Sequence, residues 1–395
     1  MSDPMLEDPK KKDNLYVILA LQGGGALGAF QAGAYQALTE KRYEPDWVAG
    51  ISIGAINAAI IAGNPKERRL ERLKDFWHLV TGNLDWWERV PNYSEKLTNA
   101  WKIWLTMAGG VSGFFRSNYI PGPFADPNSS QACCLYNVDK LRKTLENLVD
   151  FDIINRHASE EHVRLSLGVT RVFGGVSKTF QSFNGANHAT DPDDKRTEIS
   201  ADHVMASGAL APWFPGVYIK DQSGQVIDKQ LYWDGGITSN SSFKHIIEDL
   251  PVLHRVIGDK QVVIFVIDLW GSFDREPKTF DEVCWRIKQT QYSSRIEQDI
   301  KFAREFISNE RRTERTNGQY QPPRIDIVRV SYRSHPNEIP CGDALFSRTE
   351  IDRRFRDGYA AMRYRLEMDP PLWKLEQLSA DSLTRLDAGV VIHLF

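Results

Sequence analysis

Residues 15–21, LYVILAL, form an unbroken apolar run of strand length, followed after Gln22 by three glycines. Beyond the glycines, Ala29, Phe30, Ala34, Tyr35 and Leu38 recur at helical spacing, which predicts a helix over 28–40. The alternation then repeats, with a strand pattern over 46–51 and a small-residue helical pattern over 54–63. Strand–helix–strand–helix order is a βαβ arrangement and predicts a parallel sheet flanked by helices. Further strand patterns fall at 163–172, 177–183, 230–236 and 261–270, and helical ones at 66–80, 138–149 and 241–250. After about residue 275 the chain becomes charged and mostly helical. Helical periodicity covers 278–314 and 348–368, and one more strand pattern, PRIDIVRVSY, lies between them.

Two stretches depart from this alternation. Residues 1–13 are polar and proline-bearing, which predicts a disordered tail. Residues 77–124 gather Trp77, Trp86, Trp87, Trp101 and Trp104, five of the eleven tryptophans. Polar residues between the aromatics fit an amphipathic helical insertion packed on the sheet. A lid or interfacial element is the functional alternative, because Trp and Phe favour apolar–water boundaries.

Composition narrows the class. A chain of 395 residues with 42% hydrophobic and 26% charged residues reads as a soluble globular protein of one large or two medium domains. The net charge of −3 comes with no basic stripe, so nucleic acid is not an expected partner. Cys133, Cys134, Cys284 and Cys341 lack metal-ligand spacing and read as reduced thiols of a cytosolic protein. Neither a metal nor a cofactor is expected. KKKDN followed by LYVILAL imitates a secretory signal, but the run is short and Gln22 and the glycines interrupt it. The small-residue run over 48–63 carries Ser52 and Asn57 and falls short of the roughly 20 residues of a membrane span.

The first glycine loop carries two readings. Gly23, Gly25 and Gly28 satisfy G-x-G-x-x-G between a strand and a helix, the context of a dinucleotide cradle. The same geometry exposes backbone N–H groups to any anion. The next turn weighs between them. Gly50-Ile51-Ser52-Ile53-Gly54 matches G-x-S-x-G where a strand runs into a helix, the setting of a nucleophile elbow. A helix starting at the serine directs free N–H groups and its positive dipole end at developing negative charge. Asp234, in YWDGGI, ends an apolar run and precedes Gly235 and Gly236, which let it approach another loop closely. An ordinary Asp-Gly turn is the bland alternative. The usual triad would need a histidine base. Of the nine histidines His203 is the best placed, with a capping or core role equally open, and His245 lies on a helix surface. The lack of a clear histidine site favours a Ser–Asp pair.

On these residues the chain resembles the bacterial patatin-like phospholipases. The resemblance rests on Gly23-Gly24-Gly25-Ala26-Leu27-Gly28, on the elbow Gly50–Gly54, and on Asp234-Gly235-Gly236, in that order. A fourth stretch, MASGALAPWFPGV, resembles a family segment A-S-x-x-x-P-x-F through Ala206, Ser207, Pro212 and Phe214, with one extra residue before the proline. The likeness covers residues 14–275. The region 276–395 looks like an extra C-terminal part carried by a bacterial subgroup. The resemblance implies a three-layer α/β/α sandwich with a mainly parallel central sheet, plus a helix-rich C-terminal region. It implies a Ser52–Asp234 dyad, with Ser52 as nucleophile and Asp234 as proton acceptor. It implies an oxyanion hole in the loop from Gly23 to Gly28, and elbow and support roles for Gly50, Gly54, Gly235 and Gly236. A lipid or acyl ester is then the expected substrate, met through peripheral membrane contact. Leu27 departs from the family, where a basic residue is common, and puts anionic head-group recognition in question. Three other readings remain open. A nicotinamide-dependent oxidoreductase would need an acid at the end of the second strand, yet Asp46 lies at its start. An acyltransferase of a related fold would want a histidine base. A binding protein without turnover would have no use for the dyad.

Overall fold

In the computed structural model, the described residues are 14–81, 95–118, 124–126, 129–156, 162–185, 195–221, 223–251, 253, 257–258, 260–271, 276–317, 325–335, 340–367 and 389–394. The expected tail over 1–13 and the tryptophans Trp86 and Trp87 lie outside them. The elements run β1 (Leu15–Leu21), α1 (Ala29–Glu40), β2 (Trp47–Ile51), α2 (Ile53–Ala62), α3 (Lys66–Leu79) and α4 (Glu95–Gly109). There follow β3 (Arg116–Ser117), β4 (Tyr136–Asn137), α5 (Asp139–Leu148), α6 (Phe151–Asn155), β5 (Arg164–Arg171) and β6 (Val176–Gln181). The chain continues through α7 (Ala201–Ser207), β7 (Val217–Lys220), β8 (Val226–Asp234), α8 (Phe243–Asp249) and β9 (Gln261–Asp268). It closes with α9 (Phe280–Asn317), β10 (Ile325–Ser331), α10 (Arg348–Glu367) and β11 (Gly389–Leu394).

Nine strands form one sheet in the order β11-β10-β9-β1-β2-β5-β8-β7, with β6 also paired to β5. The five consecutive strands from β10 to β5 are parallel, and the outer pairings are antiparallel. β1 sits near the middle, which is why LYVILAL is apolar at every position: both of its faces are covered. Val17, Leu19 and Leu21 enter one core with α1, α2 and α3. Tyr16, Ile18 and Ala20 enter a second core with Phe243 and Ile246 of α8 and Ile300 and Ala303 of α9. The architecture is thus the three-layer α/β/α sandwich with a mainly parallel sheet. α2 is buried all round, as its small and apolar sequence requires.

The described residues beyond 276 follow the expected domain in sequence, and they extend its sheet and pack on its helices. β10 adds to β9 in parallel register, and β11 adds to β10. α10 crosses α1 at two reciprocal glycines. A Cβ on Gly33 would lie 1.9 Å from the Phe355 carbonyl oxygen, and one on Gly358 would lie 1.9 Å from that of Phe30. The charged composition of this region reflects its outer helical faces, while Ile327, Val328 and Val330 are fully covered. Several short elements fell outside the predicted patterns, β7 and α7 among them. β7 spans four residues, and α7 lies in the stretch read only as a motif.

Candidate active site

Ser52 stands at the carboxyl end of β2 with φ 56° and ψ −123°, a positive φ in a residue other than glycine. Such strain persists only where the surroundings fix it. Here the flanking glycines make the turn possible. A Cβ on Gly50 would lie 2.3 Å from the Gly54 carbonyl oxygen, and one on Gly54 would lie 2.4 Å from that of Leu21. The serine amide donates to Ser207 Oγ at 3.0 Å, and that hydroxyl donates to the Gly168 carbonyl at 2.6 Å. Ser207 therefore ties the elbow to β5. Its place in the Ala206-Ser207 motif marked it in the sequence, but not its task.

Asp234 ends β8, where its backbone pairs with Val169 of β5, and its amide donates to the Ala209 carbonyl at 2.9 Å. Its Oδ1 accepts the Gly236 amide at 2.7 Å, and the Ser52 side chain hydrogen-bonds to the same carboxylate. The residue is 2% exposed. Burial pushes its carboxyl up to about 6, against the opposing pull of the hydrogen bonds from Ser52 and Gly236. Gly235 packs against β5, where a Cβ would lie 2.4 Å from the Gly168 carbonyl oxygen. The two sequence-predicted dyad residues, 182 positions apart, are thus in direct contact.

Both face a cavity of about 200 Å³. Of the loop expected to form an oxyanion hole, Gly23, Gly24 and Gly25 line it. Ala26, Leu27 and Gly28 are buried behind the cavity, and Leu27 is a fully covered member of the core. The side chain at position 27 therefore points into the core, and its lack of charge does not bear on the cavity. Gly24 and Gly25 open a 3-10 turn over Gly25–Gly28, whose first amides have no partner within the turn. Ile53 opens α2 in the same way and also lines the cavity. The Gly23 amide is already used, donating to Asn240 Oδ1 at 3.0 Å.

One wall is aromatic. Phe115 packs on Tyr136 and Phe214 with ring centres 4.8 and 5.3 Å apart, and Phe114 reaches Phe346 at 5.8 Å. Thr106 and Met107 of α4 line the same cavity. The other wall comes from beyond residue 269: Trp270, Lys288, Tyr292, Cys341, Asp343 and Phe346. Lys288 Nζ pairs with Asp343 Oδ1 at 2.7 Å. Gly25, at φ 53°, lies so close under this segment that a Cβ would sit 2.3 Å from the Asp343 carbonyl oxygen. No motif announced these residues.

The aromatic insertion divides by face. Trp77 is buried and donates to Asn57 Oδ1 at 3.1 Å, as packing on the sheet predicts. Trp101 and Trp104 of α4 stack edge-on at 5.6 Å and are 61% and 59% exposed. Neither weighed histidine reaches the cavity. His203 caps α7, with its Nδ1 accepting the Ser200 amide at 3.0 Å, and packs on Phe180. His245 lies by Glu248 on α8. Asp46 accepts the Val17 amide at 2.7 Å near the start of β1 and β2, at the end of the strands away from the glycine loop. That removes the ribose-binding acid a nucleotide cradle requires. Among the described residues no group of His, Cys, Asp or Glu is arranged to hold a metal ion, and no helix is long and apolar enough to cross a membrane.

Comparison with known proteins identifies the family of the chain. The model of the patatin-like phospholipase family matches residues 19–247, more than half of the chain. A second family model, DUF3734, described as patatin phospholipase, matches residues 307–377. The Caenorhabditis elegans protein M110.7, named for a patatin-like phospholipase domain, is 49% identical over 55 residues, 14% of this chain and 5% of its own length. VipD from Legionella pneumophila is similar over 89% of this chain and 66% of its own, at 16% identity and a TM-score of 0.37. The type III effector ExoU of Pseudomonas aeruginosa is similar over 89% of this chain and 52% of its own, at 13% identity and a TM-score of 0.32. The chain thus spans one half to two thirds of those structures and a small part of the worm protein. By the family match over most of its α/β core, this chain belongs to the patatin-like phospholipase family.

Proposed function

We propose that this protein is a serine acyl hydrolase of lipid esters, with Ser52 as nucleophile and Asp234 as its proton acceptor. The observation that carries the reading is the Ser52–Asp234 hydrogen bond, made at a strained elbow on the floor of a largely apolar cavity. An ordinary carboxylate is a poor match for a serine hydroxyl. A carboxyl raised to about 6 by burial is a stronger base, and one ionised at neutral pH. Ser52 Oγ attacks the ester carbonyl carbon as its proton passes to Asp234. The amides of Gly24, Gly25 and Ile53 meet the oxygen that gains charge, each such donor contributing about 3 kcal/mol in comparable sites. Asp234 returns the proton to the departing alcohol oxygen and leaves an acyl-serine. Water then gives its proton to Asp234, attacks the same carbon, and releases the acid with Ser52 restored.

The aromatic wall supports an acyl chain as the part of the substrate bound there. The family supports a phospholipid or lysophospholipid as the ester. Peripheral contact with a lipid surface fits the outward Trp101 and Trp104 on the helix that also lines the cavity. The separate family match over 307–377 supports reading the C-terminal region as an extension particular to a subgroup.

Hydrolysis of p-nitrophenyl acyl esters tests the assignment. Ser52→Ala and Asp234→Asn are each expected to lose at least about 1,000-fold in kcat with the fold intact by circular dichroism. Wild-type rates in either variant would refute the dyad. Loss of activity in His203→Ala with Asp234→Asn active would move the base to the histidine.

A further inference from the structure

The glycine loop carries contacts that this mechanism does not use. The Gly23 carbonyl oxygen accepts two hydrogen bonds, from Asn240 Nδ2 at 3.0 Å and from the Trp270 indole Nε1 at 2.7 Å. Asn240 also accepts the Gly23 amide, so it grips residue 23 at both backbone polar groups. Asn240 and Trp270 are each 2% exposed. A trans peptide points the carbonyl of one residue and the amide N–H of the next in opposite directions within their shared plane. With the Gly23 carbonyl held toward Asn240 and Trp270, the Gly24 amide is turned away from both. Gly24 lines the cavity beside Ser52. Without a Cβ on either side, the 23–24 peptide would rotate at little steric cost. A rotated peptide would present a carbonyl oxygen to the developing oxyanion in place of a donor.

We propose that Asn240 and Trp270 are positioning residues that lock the Gly23–Gly24 peptide with its amide directed at the oxyanion, and that the C-terminal region holds Trp270 in that position. The proposal rests on the hydrolase reading. Trp270 is fixed from several sides. Its amide donates to Asp268 Oδ1 at 2.9 Å, and Asp268 is itself paired with Arg329 of β10, whose Nε lies 3.0 Å away. Its ring packs on Trp285 and Tyr292 of α9, with centres 5.4 and 4.8 Å apart. Trp270 and its supports Asp268, Trp285, Tyr292 and Arg329 all lie beyond the 19–247 core match, while Asn240 lies within it. Residues outside the family core thereby reach the reaction through one peptide plane.

The test compares Trp270→Phe and Asn240→Ala with wild type on a p-nitrophenyl ester and two inhibitors. One is an alkyl trifluoromethyl ketone, whose carbonyl carbon accepts Ser52 Oγ as the serine proton passes to Asp234, leaving a hemiketal oxyanion. The other is an alkyl ether of the same length that cannot be attacked. Each variant is expected to lose about tenfold in kcat with KM held within about twofold. Affinity for the ketone should fall by the same factor as kcat/KM, with ether affinity unchanged. A merely structural role would not separate the two inhibitors. Should Asn240→Ala fail to fold, Trp270→Phe, which keeps a smaller aromatic ring and loses the indole N–H, decides alone. Wild-type kcat in Trp270→Phe, or lost kcat with full ketone affinity, overturns the clamp while leaving the hydrolase reading standing. A wild type that turns over no ester fails the hydrolase reading first, and the clamp with it.

Discussion

The elbow around Ser52 and the walls of the cavity above it reach the same space by different means. The elbow spans five residues and is fixed by backbone contacts: two glycines, one strained serine, and carbonyls of β1 and α2 within 2.4 Å of where a Cβ would fall. The walls draw on α4, the stretch around Phe114 and Phe115, the 341–346 segment and α9, and meet through side chains. Chemistry needs sub-ångström placement, and backbone contacts tolerate no substitution. A wall that accepts an acyl chain needs only volume and apolar surface, which several side chains can supply. The elbow is accordingly buried on both sides, while α4 turns one face to the cavity and leaves two tryptophans outside.

That contrast can be broken at its strong end. Gly54→Ala puts a methyl group against the Leu21 and Gln22 carbonyls, at 2.4 and 2.7 Å. It is expected to abolish hydrolysis and to lower stability by at least about 3 kcal/mol in urea unfolding. A variant with near-native midpoint and rate would show the elbow to be as tolerant as the walls.

The proposed dyad sharpens the comparison through pH. With the Asp234 carboxyl raised to about 6, kcat/KM should fall about tenfold per pH unit below that value and level off above it. Stability runs the other way. The folded state holds this proton more tightly than the unfolded chain, whose carboxyl has its ordinary value of 3.8. Stability contributed by the site is therefore greatest at low pH and declines as pH rises from about 4 to about 6, by about 3 kcal/mol in all. Asp234→Asn removes that decline, so this variant should unfold later than wild type at pH 7.5 but not at pH 4. Equal midpoints at both pH values would refute the raised carboxyl.

The smallest effect belongs to the outer wall. Trp101→Ala combined with Trp104→Ala removes exposed rings only, and should leave kcat on a short soluble ester within about twofold of wild type. Hydrolysis of the same acyl group in phospholipid vesicles should fall by about tenfold. Parallel losses on both substrates would place these rings in the folded framework; no loss on either would remove them from substrate access.

The legibility of the molecule follows the same line. Strands β1, β2, β5 and β9 and helices α1 to α3 lay within a residue or two of their sequence patterns, because both faces of each central strand are covered and the apolar run is unbroken. Ser52 and Asp234 were legible because each sits in a glycine-bearing turn whose steric demand shows in the sequence. Ser207 was marked by a motif without its role. Asn240 and Trp270 carried no signal at all, since an asparagine and a tryptophan in loops fit many settings.

The sequence by itself determined the α/β class, the order of the central elements, the elbow and the acid, since local steric needs and strand burial leave their mark on neighbouring residues. Tertiary structure alone decided that Asp234 meets Ser52, that Gly24 and Gly25 but not Leu27 face the cavity, and that Trp270, Lys288, Tyr292 and Phe346 complete it. Those outcomes depend on which strand lies beside which. A contact between residues separated by 182 or 247 positions leaves no periodicity to read; β8 pairing with β5 beside β2 brings the first together, and β9 pairing with β1 the second.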